Sequence, residues 1–358
     1  MIQRFLIIPS WRAMINGKFV VAPPFAASCH ARAHQPLVPS GGRMSSAIRQ
    51  RLGAILLAMS VIWTAPVSAE EPVGTLGTVG SDTMAGLMLR WGERLAHRHP
   101  GMRLQLQASG SASAPPALTA GTTLIGPMSR PMTEDEKAAF EHRYGYPPRA
   151  LVVARDALVV VVHRHNPLQS LSRPQLDAIF SDGRRCGAEH ALRRWSSLID
   201  GAIQGRIALH GRNAVSGTHE LFRREVLCNG AFRPEVSEHP GSAAVVAAVA
   251  ADPRAIGYAG LNHLTPGVHP VALRGADGVL HRPDPATVRR GDYPLARDLR
   301  LYVNLPPGES LPDVERAFVD LILSPEGQAI AEELGFVALP QEVLERQRRE
   351  LGLETPDS

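Results

Sequence analysis

Four short segments of this chain carry serine or threonine hydroxyls; three of them include a glycine, and two include an arginine. The segments are Gly80-Ser81-Asp82-Thr83, Ser109-Gly110-Ser111, Met128-Ser129-Arg130, and Arg212 with Ser216-Gly217-Thr218. Hydroxyls donate hydrogen bonds, glycine lets the backbone approach closely, and a guanidinium adds charge and two parallel N–H donors. Together these groups suit the binding of a tetrahedral oxyanion without a metal ion.

The position of these segments in the predicted fold supports a shared site. Each follows a predicted strand, and three of them open a predicted helix, whose N-terminus offers unpaired N–H groups and the positive end of the helix dipole. Serine, threonine and aspartate are also ordinary N-cap residues, so any one segment alone is better explained as a helix cap. Four such segments at strand ends, where open α/β sheets bind ligands, favour convergence on one ligand.

The elements that position these segments alternate along the chain. From residue 73, short apolar runs alternate with amphipathic stretches, which is typical of an α/β protein with a mainly parallel sheet. Thr133 and Glu136 predict a capping box, and Ser172 predicts a second helix cap. Leu151 to Val162 predicts a long strand, interrupted by Arg155-Asp156, that crosses from one lobe to another, and Ala255 to Tyr258 predicts the return crossing.

A chain of 358 residues is long enough for two α/β lobes with separate cores. From the two predicted crossings we expect a discontinuous lobe I and a continuous lobe II. The expected ranges are 73–154 and 259–340 for lobe I, 155–258 for lobe II, and 341–358 for a charged peripheral tail.

Residues 1–69 have the features of an export leader. They hold seven of the 38 basic residues and none of the 34 acidic ones, so the rest of the chain has 31 basic against 34 acidic residues. Met44 precedes two arginines, an apolar run from Leu52 to Trp63, and small residues at Val67 and Ala69. This pattern predicts a start at Met44 and cleavage after Ala69, with a retained membrane anchor as the alternative. No cysteine stands at the cleavage point for lipid attachment, so we expect a soluble periplasmic protein.

Three cysteines constrain the redox chemistry. Cys29 lies in the leader, which leaves Cys186 and Cys228 as an even pair in an oxidising compartment. We expect a disulfide between them, and two separate buried thiols are the alternative. Their spacing supplies no close cysteine or histidine partners, so we expect no zinc site.

Several longer motifs resemble a known family. Gly80 to Met84, Ile125 to Met132 and Gly211 to Thr218 are similar to the phosphate-binding protein of the high-affinity phosphate ABC importer. The similarity covers nearly all of residues 73–340, and its most specific element is Arg-x-x-x-Ser-Gly-Thr. The resemblance implies a two-lobed periplasmic binding protein fold (type II), with two hinge crossings, that closes on one inorganic phosphate. It also implies the membrane permease of an ABC importer as partner, and no cofactor.

The resemblance carries ligand roles to individual positions. They are the Thr83 hydroxyl with the Met84 N–H, Ser111, Arg212, Ser216, and the N–H groups of Gly217 and Thr218. Ser81, Asp82, Ser129 and Arg130 complete the candidate phosphate-binding set from the four segments.

One position departs from the family's better-known pattern. Where many members place an aspartate that accepts the proton of hydrogen phosphate, this chain has Ser129. A buried acceptor repels deprotonated anions such as sulfate and so sets selectivity. We hypothesise that Asp82 supplies the missing carboxylate, and simple capping of its helix is the alternative.

Two other functions are compatible with parts of this pattern. A receptor or sensor for another oxyanion needs no change of fold. A phosphate-ester hydrolase would use Ser216, but the sequence has no Gly-x-Ser-x-Gly, His-Glu-x-x-His or Walker motif. Few aromatic residues and an acidic balance beyond the leader argue against nucleic-acid binding. We therefore expect a monomeric receptor rather than an enzyme.

Overall fold

A computed structural model describes residues 73–201 and 203–353, in which strands and helices alternate. The strands are β1 (Gly74–Val79), β2 (Met102–Gln107), β3 (Ile125–Met128), β4 (Arg149–His163), β5 (Ser170–Ser172), β6 (Ala208–Arg212), β7 (Ser237–His239), β8 (Ala255–Gly260), β9 (Val268–Arg274), β10 (Leu280–His281) and β11 (Ala296–Val303). The α-helices are α1 (Ala85–Arg98), α2 (Ala114–Ala120), α3 (Glu134–Tyr144), α4 (Arg173–Phe180), α5 (Gly217–Glu225), α6 (Ser242–Ala251), α7 (Pro285–Arg290), α8 (Asp313–Ile322), α9 (Pro325–Glu333) and α10 (Gln341–Glu350). Short 3-10 helices lie at Ser111–Ser113, Trp195–Ser197 and Leu261–His263. The predicted export leader lies outside the described residues.

Local sequence signals set several helix starts. The Thr133 side chain accepts from the Glu136 N–H, and the Glu136 carboxylate accepts from the Thr133 N–H, so both halves of the predicted capping box at α3 are confirmed. The Ser172 cap of α4 is confirmed in the same way, with Gln175 as the reciprocal partner. These caps satisfy N–H groups that would otherwise be unpaired in the first turn.

One long strand joins two sheets. The first half of β4 pairs with β11, and its second half pairs with β8 and β9. The first sheet has the order β2-β1-β3-β11-β4, and the second continues as β4-β8-β6-β7. The predicted long strand is confirmed as part of a 15-residue strand that continues through Arg155-Asp156.

The pairing of the strands is more mixed than the mainly parallel sheets that the sequence predicts. β1 runs parallel to β2 and β3, and β6 runs parallel to β7 and β8. β4 and β11 run antiparallel to every neighbour within these two sheets. Each sheet therefore has parallel strands of the β-α-β type, whereas β4 and β11, which connect the two sheets, are antiparallel to their neighbours.

Each sheet has its own apolar core. In the first, Trp91 and Phe318 are fully buried with Leu87, Leu301 and Ile322. In the second, an aromatic cluster fills the space beneath β6 and β8, where the rings of Phe222 and Tyr258 stack with centroids 4.1 Å apart. These two cores, one to a sheet, are typical of a two-lobed α/β architecture. A smaller apolar cluster around Phe140 also packs on the first sheet.

The packing of the chain differs from the expected lobe ranges in two places. Val268, Val288 and Tyr293 belong to the core of the second lobe, because β9 pairs with the second half of β4. The chain returns to the first sheet only at β11. The expected peripheral tail contains α10, whose Leu344 is buried in the first core, so its apolar face holds it on lobe I.

Cys186 and Cys228 form a disulfide that closes a loop of the second lobe, which confirms the predicted pairing. In the described part of the chain, no helix is both long enough and apolar enough to cross a membrane.

Candidate anion-binding site

The first three candidate segments meet at the carboxyl ends of β1, β2 and β3. Gly110 N donates to Gly80 O at 2.9 Å, and Ser81 N donates to Pro127 O at 2.7 Å. Ser111 begins a 3-10 helix at the end of the second segment, and its hydroxyl lies 3.1 Å from that of Ser129. Because β1 is parallel to both neighbours, their carboxyl ends share one edge of the sheet.

The fourth segment reaches this edge from the other lobe. It links the end of β6 to the start of α5. Ala112 N of lobe I donates to Val215 O at 3.1 Å, and the hydroxyls of Thr83 and Thr218 lie 3.2 Å apart. All four segments therefore converge, and the cleft between the lobes is closed by direct contacts.

Gly217 makes this close approach possible. A Cβ atom at Gly217 would lie 2.6 Å from Ser129 Oγ and closer still to Ser111 Oγ. The first residue of α5 therefore sits directly against two hydroxyls of lobe I. A side chain at this position would prevent this approach, since only glycine has no Cβ atom.

Three hydroxyl oxygens of the site each accept a hydrogen bond from a protein N–H group. Ser111 Oγ accepts from Ser129 N at 3.0 Å, Ser216 Oγ accepts from Thr218 N at 3.1 Å, and Thr218 Oγ1 accepts from Arg297 Nη1 at 2.9 Å. Each donor here is a group that can only donate. Since a hydroxyl has one hydrogen, the hydrogens of all three must point elsewhere, where they can donate to an anion.

Arg212 is fully buried and its guanidinium is almost fully used. Nε donates to His239 O at 3.3 Å, Nη2 donates to Pro240 O at 2.8 Å, and Nη1 donates to Ser242 Oγ at 3.2 Å. Nη2 also lies 2.6 Å from Asp82 Oδ2 across the cleft. These four contacts use four of the five N–H donors of a guanidinium. One hydrogen on Nη1 is left for a ligand.

The electrostatics of Arg212 reflect its burial. Desolvation lowers the pKa of Arg212, and the neighbouring carboxylate of Asp82 opposes that shift. Arg212 N donates to the Tyr258 hydroxyl at 3.1 Å. Burial raises the pKa of Tyr258, so this phenol stays neutral at physiological pH.

Asp82 bridges the two lobes and keeps one free oxygen. Oδ2 binds Arg212, whereas Oδ1 is buried and has no hydrogen-bond partner among the described residues. A buried acceptor without a donor is costly, so this oxygen favours a ligand that brings its own proton. The hypothesis that Asp82 replaces the family's missing carboxylate stays a prediction, and this unpaired oxygen is the atom that it concerns.

The remaining candidate residues are Ser81, Met84 and Arg130. Ser81 Oγ is buried and has no partner among the described residues, and Met84 takes the N-cap position of α1. Arg130 forms a two-pronged ion pair with Glu136, with Nη1 to Oε2 at 2.7 Å and Nη2 to Oε1 at 2.6 Å. Its fork is thus occupied by the first turn of α3, and we leave Arg130 out of the ligand set proposed below.

Arg297 and Asp156 belong to the site but were not predicted from the sequence. Arg297 Nε and Nη2 donate to Asp156 Oδ2 at 3.0 and 2.6 Å, and both side chains are buried. The pattern of β11 held a signal, because Arg297 takes an inward position in line with Leu299 and Leu301. A charged residue at such a position indicates a buried partner.

A cavity of about 580 Å³ opens beside the site. Ser129 and Arg297 form part of its wall. The cavity is also lined by five further arginines and two carboxylates, namely Arg130, Arg155, Arg224, Arg290 and Arg300 with Glu225 and Asp298. No group of three or more histidine, cysteine, aspartate or glutamate side chains within residues 73–201 and 203–353 is arranged to hold a metal ion.

Comparison with known proteins agrees with this architecture. A family model described as a PBP superfamily domain matches residues 65–326. In solved structures, the fold is similar to a putative phosphate ABC transporter substrate-binding protein with bound phosphate from Clostridium perfringens, with a TM-score of 0.62 and 22% identity over 75% of this chain and 100% of that one. It is also similar to a possible phosphate binding protein from Planctomyces limnophilus, with a TM-score of 0.58 and 26% identity over 78% of this chain and 98% of that one.

Curated relatives are closer in sequence. The phosphate-binding protein PstS of Pseudomonas aeruginosa is 44% identical over 283 residues, which cover 78% of this chain and 88% of that protein. PstS of Staphylococcus epidermidis is 26% identical over 278 residues, which cover 76% of this chain and 81% of that protein. By the extent of these matches, the chain belongs to the PBP superfamily, within the phosphate-binding protein PstS family.

Proposed function

We propose that this protein is a receptor that binds inorganic phosphate between its two lobes and delivers it to the permease of an ABC importer. The observation that carries the proposal is the convergence of four hydroxyl-bearing segments, from both lobes, around the free N–H of Arg212. The family supports a role in transport rather than catalysis.

The proposed ligand set follows from the donors of the site. It consists of the hydroxyls of Thr83, Ser111, Ser216 and Thr218, the N–H groups of Met84 and Gly217, and Nη1 of Arg212. Ser81 and Ser129 contribute further hydroxyls. Most of these donors are neutral, so the anion replaces its hydration shell with fixed dipoles rather than with several full charges.

Asp82 is proposed to select for a protonated anion. Its free Oδ1 accepts the proton of hydrogen phosphate, whereas sulfate has no proton at neutral pH and would face a buried, unpaired acceptor. Arsenate has the same shape and the same proton, so the site discriminates against it weakly.

A role in transport also implies where the protein works and how its two lobes move. We propose that the protein is exported to the periplasm through the leader at residues 1–69 and works there as a monomer. Phosphate stabilises the closed arrangement of the two lobes, because only this arrangement brings ligand groups from both lobes together. The permease recognises the closed form.

Isothermal titration calorimetry on the exported chain tests the proposal. We expect one phosphate per chain, similar binding of arsenate, and binding of sulfate weaker by about a hundredfold or more, because a site built for a donated proton rejects an analogue that lacks it. An equal affinity for sulfate would contradict the role of Asp82. Absence of phosphate binding would overturn the proposed function itself.

A further inference from the structure

Arg297 lies where the two lobes join. Arg297 on β11 is directly opposite Asp156 on β4. Two residues after Asp156, at Leu158, β4 begins to pair with β8. The two residues are 141 positions apart in the chain. The ion pair therefore stands at the crossing strand itself, beneath the cleft.

The guanidinium of Arg297 connects this crossing to both sides of the cleft. Nε and Nη2 donate to Asp156 Oδ2, so Nη1 is available for other contacts. Nη1 donates to Thr218 Oγ1 at 2.9 Å in lobe II and approaches Ser129 O at 3.5 Å in lobe I. One buried cation thus contacts an element of each lobe.

The contact with Thr218 determines what that hydroxyl can do. A guanidinium has no acceptor, so Thr218 Oγ1 must accept from Arg297 and must direct its single hydrogen away from it. The neighbouring group on the other side is Thr83 Oγ1, 3.2 Å away across the cleft. Without Arg297, the Thr218 hydroxyl would be free to rotate and to act as an acceptor.

We propose that Arg297 is a positioning residue of the anion site: anchored on Asp156, it holds the Thr218 hydroxyl as a hydrogen-bond donor toward the bound anion. It acts through Thr218 and does not itself bind the ligand. This inference rests on the proposed binding of phosphate.

Asp156 has two roles in this arrangement. Its carboxylate compensates the charge of Arg297, because a lone buried guanidinium would carry a large desolvation cost. It also fixes the direction of the fork, since Nε and Nη2 both bind the same oxygen. A flexible ammonium on a lysine stem has no such fork and fixes its neighbour less well.

A double-mutant cycle tests the inference. Arg297→Gln is combined with Asp156→Asn, so that no uncompensated charge is left buried, and Thr218→Val removes the hydroxyl. Phosphate affinity is measured by titration calorimetry on the wild type, the Asp156→Asn/Arg297→Gln protein, Thr218→Val, and the triple variant. Melting temperatures confirm that each protein is folded at the temperature of the titration.

We expect the paired charge removal to weaken phosphate binding about tenfold, Thr218→Val to do the same, and the triple variant to bind no more weakly than either. Independent, multiplicative losses would show that Arg297 does not act through Thr218 and would overturn the inference. Affinity within twofold of wild type in the folded Asp156→Asn/Arg297→Gln protein would also overturn it. If the wild type fails to bind phosphate, the proposed function fails instead.

A matched control separates positioning from stability. Arg233, which belongs to lobe II, is likewise a buried arginine; it is ion-paired with Asp182 and donates to the carbonyl of Ala178. Arg233→Gln is expected to lower the melting temperature and to leave phosphate affinity unchanged. Arg297→Lys is a second test variant, expected to fold and still to bind phosphate several times more weakly, because it keeps the charge and loses the fork. Wild-type affinity in this variant would contradict the geometric argument.

Discussion

At the scale of single residues, the site balances its charges locally. Arg212 is paired with Asp82, and Arg297 is paired with Asp156. Each arginine is buried, so each carboxylate offsets a desolvation cost that the arginine alone would bear. The positive field at the proposed ligand position is therefore moderate, and selectivity must depend on the direction of hydrogen bonds.

Asp82 is the residue at which this selectivity is tested. Asp82→Asn keeps the size of the side chain but replaces a carboxylate oxygen by an amide that can donate. We expect phosphate to bind about ten- to a hundredfold more weakly, and sulfate to bind at least as well as in the wild type, because the unpaired acceptor is removed. Competition titrations with both anions on the purified variant provide the measurement.

The control for Asp82 is another acidic residue at a helix start. Asp284 caps α7 by accepting from the Thr287 N–H and lies outside the four converging segments. Asp284→Asn is expected to leave the affinities for both anions unchanged. If Asp82→Asn also leaves both unchanged, the Asp82 side chain serves only as the partner of Arg212, and the selectivity must come from elsewhere. It does not cap α1, whose N-cap is Met84 without a side-chain hydrogen bond.

At the scale of elements, the start of α5 is the part of lobe II that enters the site. Ser216 caps this helix, and Gly217 is its first residue. The first residue of the helix lies against the hydroxyls of Ser111 and Ser129 in the opposite lobe. This places the N-terminus of α5, where an anion can bind, at the closed cleft. The cap residue and the glycine thus serve the helix and the closed cleft together.

Gly217→Ala tests this contact. The added methyl would overlap both serine hydroxyls when the lobes close, and overpacking of this kind costs about 1–3 kcal/mol. If the cost falls on closing, phosphate binding weakens by about 5- to 150-fold. Calorimetric affinity together with the change in radius of gyration on adding phosphate, from small-angle scattering, gives the measurement.

Gly86→Ala is the matched control for that substitution. Gly86 lies in α1, close to the site in sequence, and a Cβ atom there meets nothing within 4 Å. We expect unchanged phosphate affinity and an unfolding free energy equal to or about 0.5–1 kcal/mol above that of the wild type. Equal affinities for both alanine variants would argue against tight closure at α5.

At the scale of the whole molecule, stability and binding are carried by different regions. Two separate cores fold the lobes, and the site lies between them. The disulfide joins the segment after α4 to the segment after α5, at the opposite end of α5 from Ser216. It therefore constrains lobe II without entering the cleft.

The paired substitution Cys186→Ser and Cys228→Ser tests that separation. The disulfide closes a loop of 42 residues, and in the chain-entropy model its loss lowers the unfolding free energy by about 4 kcal/mol. We expect a clear decrease in urea stability with unchanged phosphate affinity. A matching loss of affinity in folded protein would mean that the disulfide also holds the site.

The sequence by itself determined the local parts of this protein. Hydroxyls, glycines and Arg212 stood in recognisable segments at strand ends, and the capping boxes and the long strand β4 followed from patterns within a few residues. These features depend on short-range periodicity and backbone chemistry, which the order of residues encodes directly.

Only the tertiary structure decided which of these parts touch. Thr83 and Thr218 are 135 positions apart, and the partners Arg297 and Asp156 are still further apart in the chain. The return of the chain to lobe I at β11 and the packing of α10 likewise depend on which faces become buried together. Such contacts result from the global arrangement of two sheets around one crossing strand, and no local pattern specifies that arrangement.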